Sequence, residues 1–227
     1  MLYLNFMYLN KQLKGINILS LKREPQLCIV LTRNIFEVLL NFIYITGTRN
    51  NDEKNFRAAL YTIKDFENTA KNMTALGKYF IKYPNSKYLR TAFAVGETQS
   101  HVDTSLAINA KIKGIYKIED EKYPATTIDL AKLCDKFDRN WQLDDLDGTW
   151  EYYYELLFRH WSGYIHPSVK VLLGYEENKP QNLNELVLFT SIDFYLKSLK
   201  ILQIEEIFNN NINLDEFFDK LQTIQRD

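Results

Sequence analysis

With 227 residues, 46% of them apolar, the chain can bury a substantial core, and its composition excludes disorder as the default state. A formal net charge of -1 and a pI near 6.3 exclude a protein that is basic throughout. Eight glycines and five prolines are few for an all-β protein, and the two separated cysteines and three histidines match no disulfide framework and no metal-ligand spacing.

Residues 3–20 place Leu4, Met7, Tyr8, Leu13, Ile16 and Leu19 at intervals that predict a short helix, with a break at Gly15. Pro25 suits the first position of the next helix, and residues 1–25 are read as peripheral. The N-terminus has no basic region and no small-residue cleavage site, so it is a poor signal peptide. No run of eighteen apolar residues is free of charge; no membrane span is expected, and the expected location is the cytoplasm.

Residues 26–46 are the most apolar stretch and predict the central helix of a bundle. Arg33, Asn34, Glu37 and Asn41 fall within an arc of roughly 100° on it. That stripe must meet polar groups on a neighbour or line a cleft, and Arg33 and Glu37 are spaced to pair. Residues 47–52 read as a turn with an Asn/Asp cap, followed by a helix to about Lys82, interrupted near Gly77 and ended by Pro84.

Residues 69–96 carry Lys71, Lys78, Lys82, Lys87 and Arg90, no acid, and interleaved aromatic residues. Such a pattern suits a phosphate-tracking RNA surface, and equally a solvated lysine face over an aromatic core. Two helices are expected within 86–117, both weakened by Gly96 and Gly114. A helix over 128–137 is capped by the preceding Pro-Ala-Thr-Thr, and 139–148 reads as an acidic loop. Further helices are expected over 150–166, ended by Pro167, over 182–208 and over 214–225. No repeat or linker divides the chain, so the expectation is one all-α domain over 1–227, a single bundle of long helices.

The segment with a chemical pattern is the helix from Trp150. In an unbroken α-helix, seven residues return within roughly 20°, so Arg159 and His166 are expected on one face with Tyr152, Glu155 and Ser162. Guanidinium holds phosphate oxygens bidentately, and imidazole exchanges protons near neutral pH. Together they suit RNA cleavage without a metal or other cofactor. No phosphate-loop glycine pattern and no nucleophile elbow compete with this.

Arg159-His160, five residues and His166 resemble the motif of the HEPN proteins, an all-α ribonuclease superfamily of toxin–antitoxin, abortive-infection and CRISPR systems. The order of features also resembles a bacterial helical family with Arg-x-x-x-Glu on an early apolar helix, here Arg33 and Glu37. That family carries Ser-x-x-x-His-Pro after a tyrosine-rich run, here Ser162, His166 and Pro167. The HEPN resemblance implies His166 as general base or acid, Arg159 as phosphate holder and His160 in the polar position after the arginine. It also implies a homodimer, RNA as substrate, and an antitoxin or other defence-system protein as partner. Against it, residues 135–155 hold seven acids and two bases, a charge that repels RNA.

A non-catalytic helical scaffold or partner-binding protein explains the same residues. Arg159 would then form a buried ion pair with Glu37, with Glu155 and Arg33 completing a network. His166 would be a helix-terminal residue favoured by the dipole, His101 a surface residue, and the tryptophans core. A small-molecule cleft between the two polar stripes is a third possibility.

Overall fold

The computed structural model describes residues 2–85, 95–137, 149–164 and 182–206. Every regular element among them is helical, so the protein is all-α. In chain order these are α1 (Leu2–Leu21), α2 (Pro25–Thr46), α3 (Asn51–Lys82), α4 (Val95–Tyr116), α5 (Thr127–Cys134), α6 (Trp150–Glu155) and α7 (Leu183–Ile204). Helix α6 runs on as a π-turn over Leu156–His160 and a 3-10 turn over Trp161–Tyr164. The helices form two compact units, Met1–Arg49 with Pro124–Asp227, and Asn50–Tyr123.

In the first unit α2 is the centre. It packs against α1, α5, α7 and the π-turn. Ile29, Ile35, Phe36, Leu39, Leu40 and Phe42 are fully enclosed, because the helix is apolar over most of its circumference. Burial of each such side chain stabilises by ~1.5–3 kcal/mol. By length and composition alone α2 could cross a membrane, but most of its apolar window is covered by the surrounding protein.

Helix α1 lays Leu9 and Ile16 into this core and continues straight through Gly15. The expected break is absent because Gly15 serves packing instead: a Cβ there would stand 2.8 Å from Leu31 Cδ1 of α2. The turn from α1 to α2 is tight. Arg23 has φ 55°, its N–H bonds the Ser20 carbonyl, and the Glu24 N–H bonds the Leu19 carbonyl at 3.0 Å. These paired bonds close a helix C-terminus in the way a glycine usually does. Both cysteines are buried in this unit as free thiols. Burial, then the Glu24 carboxylate, pushes the Cys28 thiol up to about 11.

The second unit pairs α3 and α4 antiparallel, with Gly77 beside Thr98 at one end and Lys113 on Glu67 at 3.2 Å at the other. Asn50 caps α3 by accepting from the N–H groups of Asp52 and Glu53. Leu60, Ile63 and Ala70 are buried on α3, and the buried stripe on α4 is partly polar: Thr98, Val102, Ser105 and Asn109. Neither glycine weakens these helices as expected. Gly77 makes only an ordinary contact with Thr98, and Gly114 faces open space, so α3 runs unbroken and α4 continues to Tyr116.

Elsewhere α5 is shorter than expected, ending at Cys134, and its cap is Thr126. The helix expected over 150–166 is α-helical only to Glu155. The helices expected around 86–94 and over 214–225, and the acidic loop over 139–148 with Trp141, lie outside the described residues.

The strained turn gives a stability prediction. A left-handed conformation at a non-glycine residue costs ~1–2 kcal/mol, part of which glycine gives back as chain entropy. Arg23→Gly is expected to raise the urea midpoint, corresponding to about 0.5–1 kcal/mol, with an unchanged slope.

Candidate functional site

The tyrosine-rich helix α6 is started by Thr149, whose hydroxyl accepts from the Tyr152 N–H at 3.2 Å. At Leu156 the hydrogen bonding changes: the Trp161 N–H reaches back five residues to the Leu156 carbonyl. A turn that takes in an extra residue displaces all later side chains by about one residue's rotation, ~100°. The assumption of unbroken α-helical phase from Tyr152 to His166 therefore fails at this point.

The π-turn is where Arg33 arrives from α2. Its Nε and Nη2 both donate to the Leu157 carbonyl, at 2.8 and 2.7 Å. Nη2 also donates to the Ser162 hydroxyl, which itself donates to the Phe158 carbonyl. The guanidinium lies 4.9 Å from the centre of the Phe158 ring, and that ring stacks on Tyr154 at 4.8 Å. Burial draws Arg33 below its ordinary range, while Glu37 and then Tyr154 oppose that shift. Glu37 also adds to the burial that raises Tyr8 of α1. Two residues 129 positions apart, Arg33 and Ser162, thus meet at one irregular turn.

The two expected stripes do not simply face each other. Arg33 reaches the π-turn, but Asn34 donates to Gln12 of α1 at 3.3 Å. On the other element Ser162 turns to Arg33, whereas Tyr152, Arg159 and His160 are exposed. The ion pair Arg159–Glu37 is corrected: Arg159 pairs with Glu155, one helical turn away, at 2.9 Å, and its side chain is 77% exposed. Arg33 likewise joins backbone and Ser162 rather than Glu155. His160 lies edge-on to Tyr164, with ring centres 6.1 Å apart. Trp161 is buried, Trp150 half-buried against Tyr153, and His101 exposed. His166 and Pro167 lie outside the described residues, as do Lys87 and Arg90; Lys71, Lys78 and Lys82 are exposed on α3. Among the described residues no group of three or more His, Cys, Asp or Glu side chains could hold a metal ion.

The sequence reading missed a buried ion pair behind this site. On α7, Lys197 Nζ lies 2.6 Å from Asp193, with side chains only 4% and 14% exposed. The ammonium stands 5.6 Å from the Tyr153 ring centre, and Tyr153 packs edge-on to Phe194. Burial raises the Asp193 carboxyl above its ordinary range and Lys197 pulls it back. On the same helix the Ser191 hydroxyl meets Thr32 of α2 at 2.6 Å, both fully buried. The available signal was the one used for α2: charged residues four apart on an otherwise apolar helix.

The chain belongs to the DUF5677 family, a family of unknown function, whose model matches residues 1–183. The matched span contains Arg33, Glu37, Arg159, Ser162 and His166; Asp193 and Lys197 fall beyond it. No curated protein and no solved structure matches the chain.

The two arginines at this turn are expected to differ in their effect on stability. Arg33→Met removes charged donors and leaves the Leu157 carbonyl without them, at an expected cost of about 2–4 kcal/mol in urea unfolding. Arg159→Met, on the open side of the same turn, is expected to cost no more than about 1 kcal/mol.

Lys197→Met leaves Asp193 buried without its cation, so the carboxyl is raised further. A carboxyl raised in the folded state gives stability that is full below its unfolded value and lost as pH rises through its folded value. The variant's melting temperature relative to wild type is therefore expected to fall from pH 4 towards neutrality, with a loss of about 3–5 kcal/mol at the upper end. A constant offset across that range would contradict this account of the pair.

Proposed function

We propose that the chain is a metal-independent endoribonuclease of the HEPN type. Arg159 holds the scissile phosphate, and His166 moves the proton of the ribose 2′-hydroxyl or of the leaving oxygen. His160 takes the polar position after the arginine, and Ser162, Glu155, Tyr152, Arg33 and Glu37 form the supporting group. The observation that carries this reading is the exposure of Arg159 on the π-turn, which leaves its guanidinium open to a phosphate instead of locking it in the core. Irregular π-turns are frequent at functional sites, and here an anchored arginine on one side fixes the turn that displays another.

The reaction asks for charge stabilisation and proton transfer. The 2′-oxygen attacks phosphorus, the 5′-oxygen leaves and takes a proton, and a 2′,3′-cyclic phosphate remains. A guanidinium neutralises the phosphorane's equatorial charge, and an imidazole serves as the proton carrier. The resemblance that suggests this chemistry also carries a homodimer and a toxin–antitoxin or phage-defence role with a partner protein, and the two buried free thiols suit a reducing, cytoplasmic setting.

A second reading is a non-catalytic helical partner-binding protein. It is favoured by the capture of Arg159 by Glu155, which cancels the charge a phosphate requires.

The deciding experiment is an RNA cleavage assay in a chelator, with wild type, Arg159→Ala, His166→Ala and Glu155→Gln compared. The ribonuclease reading expects cyclic-phosphate ends and a loss of at least ~100-fold in both Arg159→Ala and His166→Ala, with the helical signal retained. Glu155→Gln, at a supporting residue, is expected to change the rate far less than either of these. No cleavage in any of the four proteins would sink the ribonuclease in favour of the binding protein.

A further inference from the structure

Helix α3 ends in a face unlike the rest of the molecule. Lys71, Lys78 and Lys82 are all exposed. Their spacings of seven and four residues put them in one line, within roughly 40° of each other and rising about 16 Å along the axis. Ala75, also exposed, lies between them and adds no bulk to the line. Beside the lysines stand two exposed rings, Tyr79 (55%) and Tyr83 (49%). They are nearly parallel, 11° between planes with centres 6.4 Å apart. The Lys82 ammonium lies 5.4 Å from the Tyr83 centre. Tyr83 is held in place as the helix cap, its N–H bonding the Tyr79 carbonyl at 2.8 Å.

Charge makes this face distinctive. Residues 69–96 carry five basic side chains and no acid, in a chain whose net charge is -1. The remaining residues therefore sum to -6, and this segment is the more basic of two stretches without acid, the other being residues 1–23 with four basic side chains. A line of cations with flat π-faces at its edge is complementary to a polyanion that also carries exposed aromatic bases. A duplex keeps its bases stacked inside, so it offers the tyrosines nothing; a single strand offers both groups.

We propose that the C-terminal third of α3 binds single-stranded nucleic acid, with Lys71, Lys78 and Lys82 following the phosphates and Tyr79 and Tyr83 stacking on bases. This site lies in the second unit and does not depend on the ribonuclease reading. A strand lacking the 2′-hydroxyl separates the two, because it can be bound but not cleaved by the proposed chemistry.

The test is fluorescence anisotropy of the full chain with labelled oligothymidylate, beside a labelled duplex and phosphatidylserine vesicles. Binding of the single strand is expected, with log K falling against log salt at a slope of about -2, the value for three phosphate contacts. Lys78→Gln/Lys82→Gln is expected to flatten that slope to about -0.7. Tyr79→Leu/Tyr83→Leu is expected to weaken binding at least fivefold while leaving the slope unchanged, since stacking carries no counterion term. All four side chains are exposed, so both variants are expected to keep the wild-type helical signal. Unchanged affinity in both variants, a duplex bound as tightly as the single strand, or binding to vesicles without binding to oligothymidylate would each overturn the proposal.

Discussion

The first unit depends on one side chain reaching one carbonyl. Arg33 belongs to the most apolar helix of the protein, where a guanidinium cannot remain without partners. The π-turn supplies them, through the Leu157 carbonyl and the Ser162 hydroxyl. The dependence runs both ways. A π-turn leaves backbone groups out of the regular ladder, and such groups need donors when they are buried. The irregular turn and the buried arginine each resolve the other's deficit. Neither is expected to persist in this form without its partner.

That exchange also orients the surface. With Leu157 and Ser162 turned inward to Arg33, and Trp161 buried beside them, Arg159 and His160 have only the outer side left. The exposure of Arg159 is therefore a consequence of packing at residues close to it in the same turn. This separates the two arginines that the sequence had set on facing stripes of two helices. Arg33 is the arginine that holds the fold, and Arg159 is the one that stays at the surface, paired with Glu155.

The architecture was legible because its signals are long and periodic. The bounds of α2, the asparagine cap of α3 and the start of α7 all follow from apolar spacing and residue types at helix ends. Gly15, Gly77 and Gly114 misled because a glycine inside a helix need not break it: Gly15 marks a close approach, Gly77 makes an ordinary contact and Gly114 faces open space. Only the neighbouring helix tells them apart, as Leu31 does for Gly15. Two residues that meet at the irregular turn were legible in the sequence, and their geometry was not. Arg33 and Ser162 were both singled out, but their meeting requires a π-turn, which has no sequence signature in these residues. The angular argument for Arg159, Ser162 and His166 assumed a constant 100° step, and one five-residue hydrogen bond is enough to invalidate it.

The polar groups inside this unit share a pattern that apolar packing alone does not explain. Thr32 meets Ser191, Arg33 meets Leu157 and Ser162, and Lys197 meets Asp193 beneath Tyr153. The first two join different elements and fix their relative rotation, whereas the Lys197–Asp193 pair lies within α7. Helix α7 is apolar around much of its circumference, so hydrophobic burial holds it in place without fixing which face it turns to α2. The Thr32–Ser191 hydroxyl pair, which spans the two helices, is satisfied in only one rotation and provides that choice. A buried pair is weak evidence for stability, because desolvation offsets much of its attraction. Its effect here is on register: α7 places Lys197 against Tyr153, Tyr153 belongs to α6, and α6 leads into the π-turn that carries Arg159. The display of a surface arginine is thus set by polar contacts in the core, through elements that apolar packing alone leaves free to rotate.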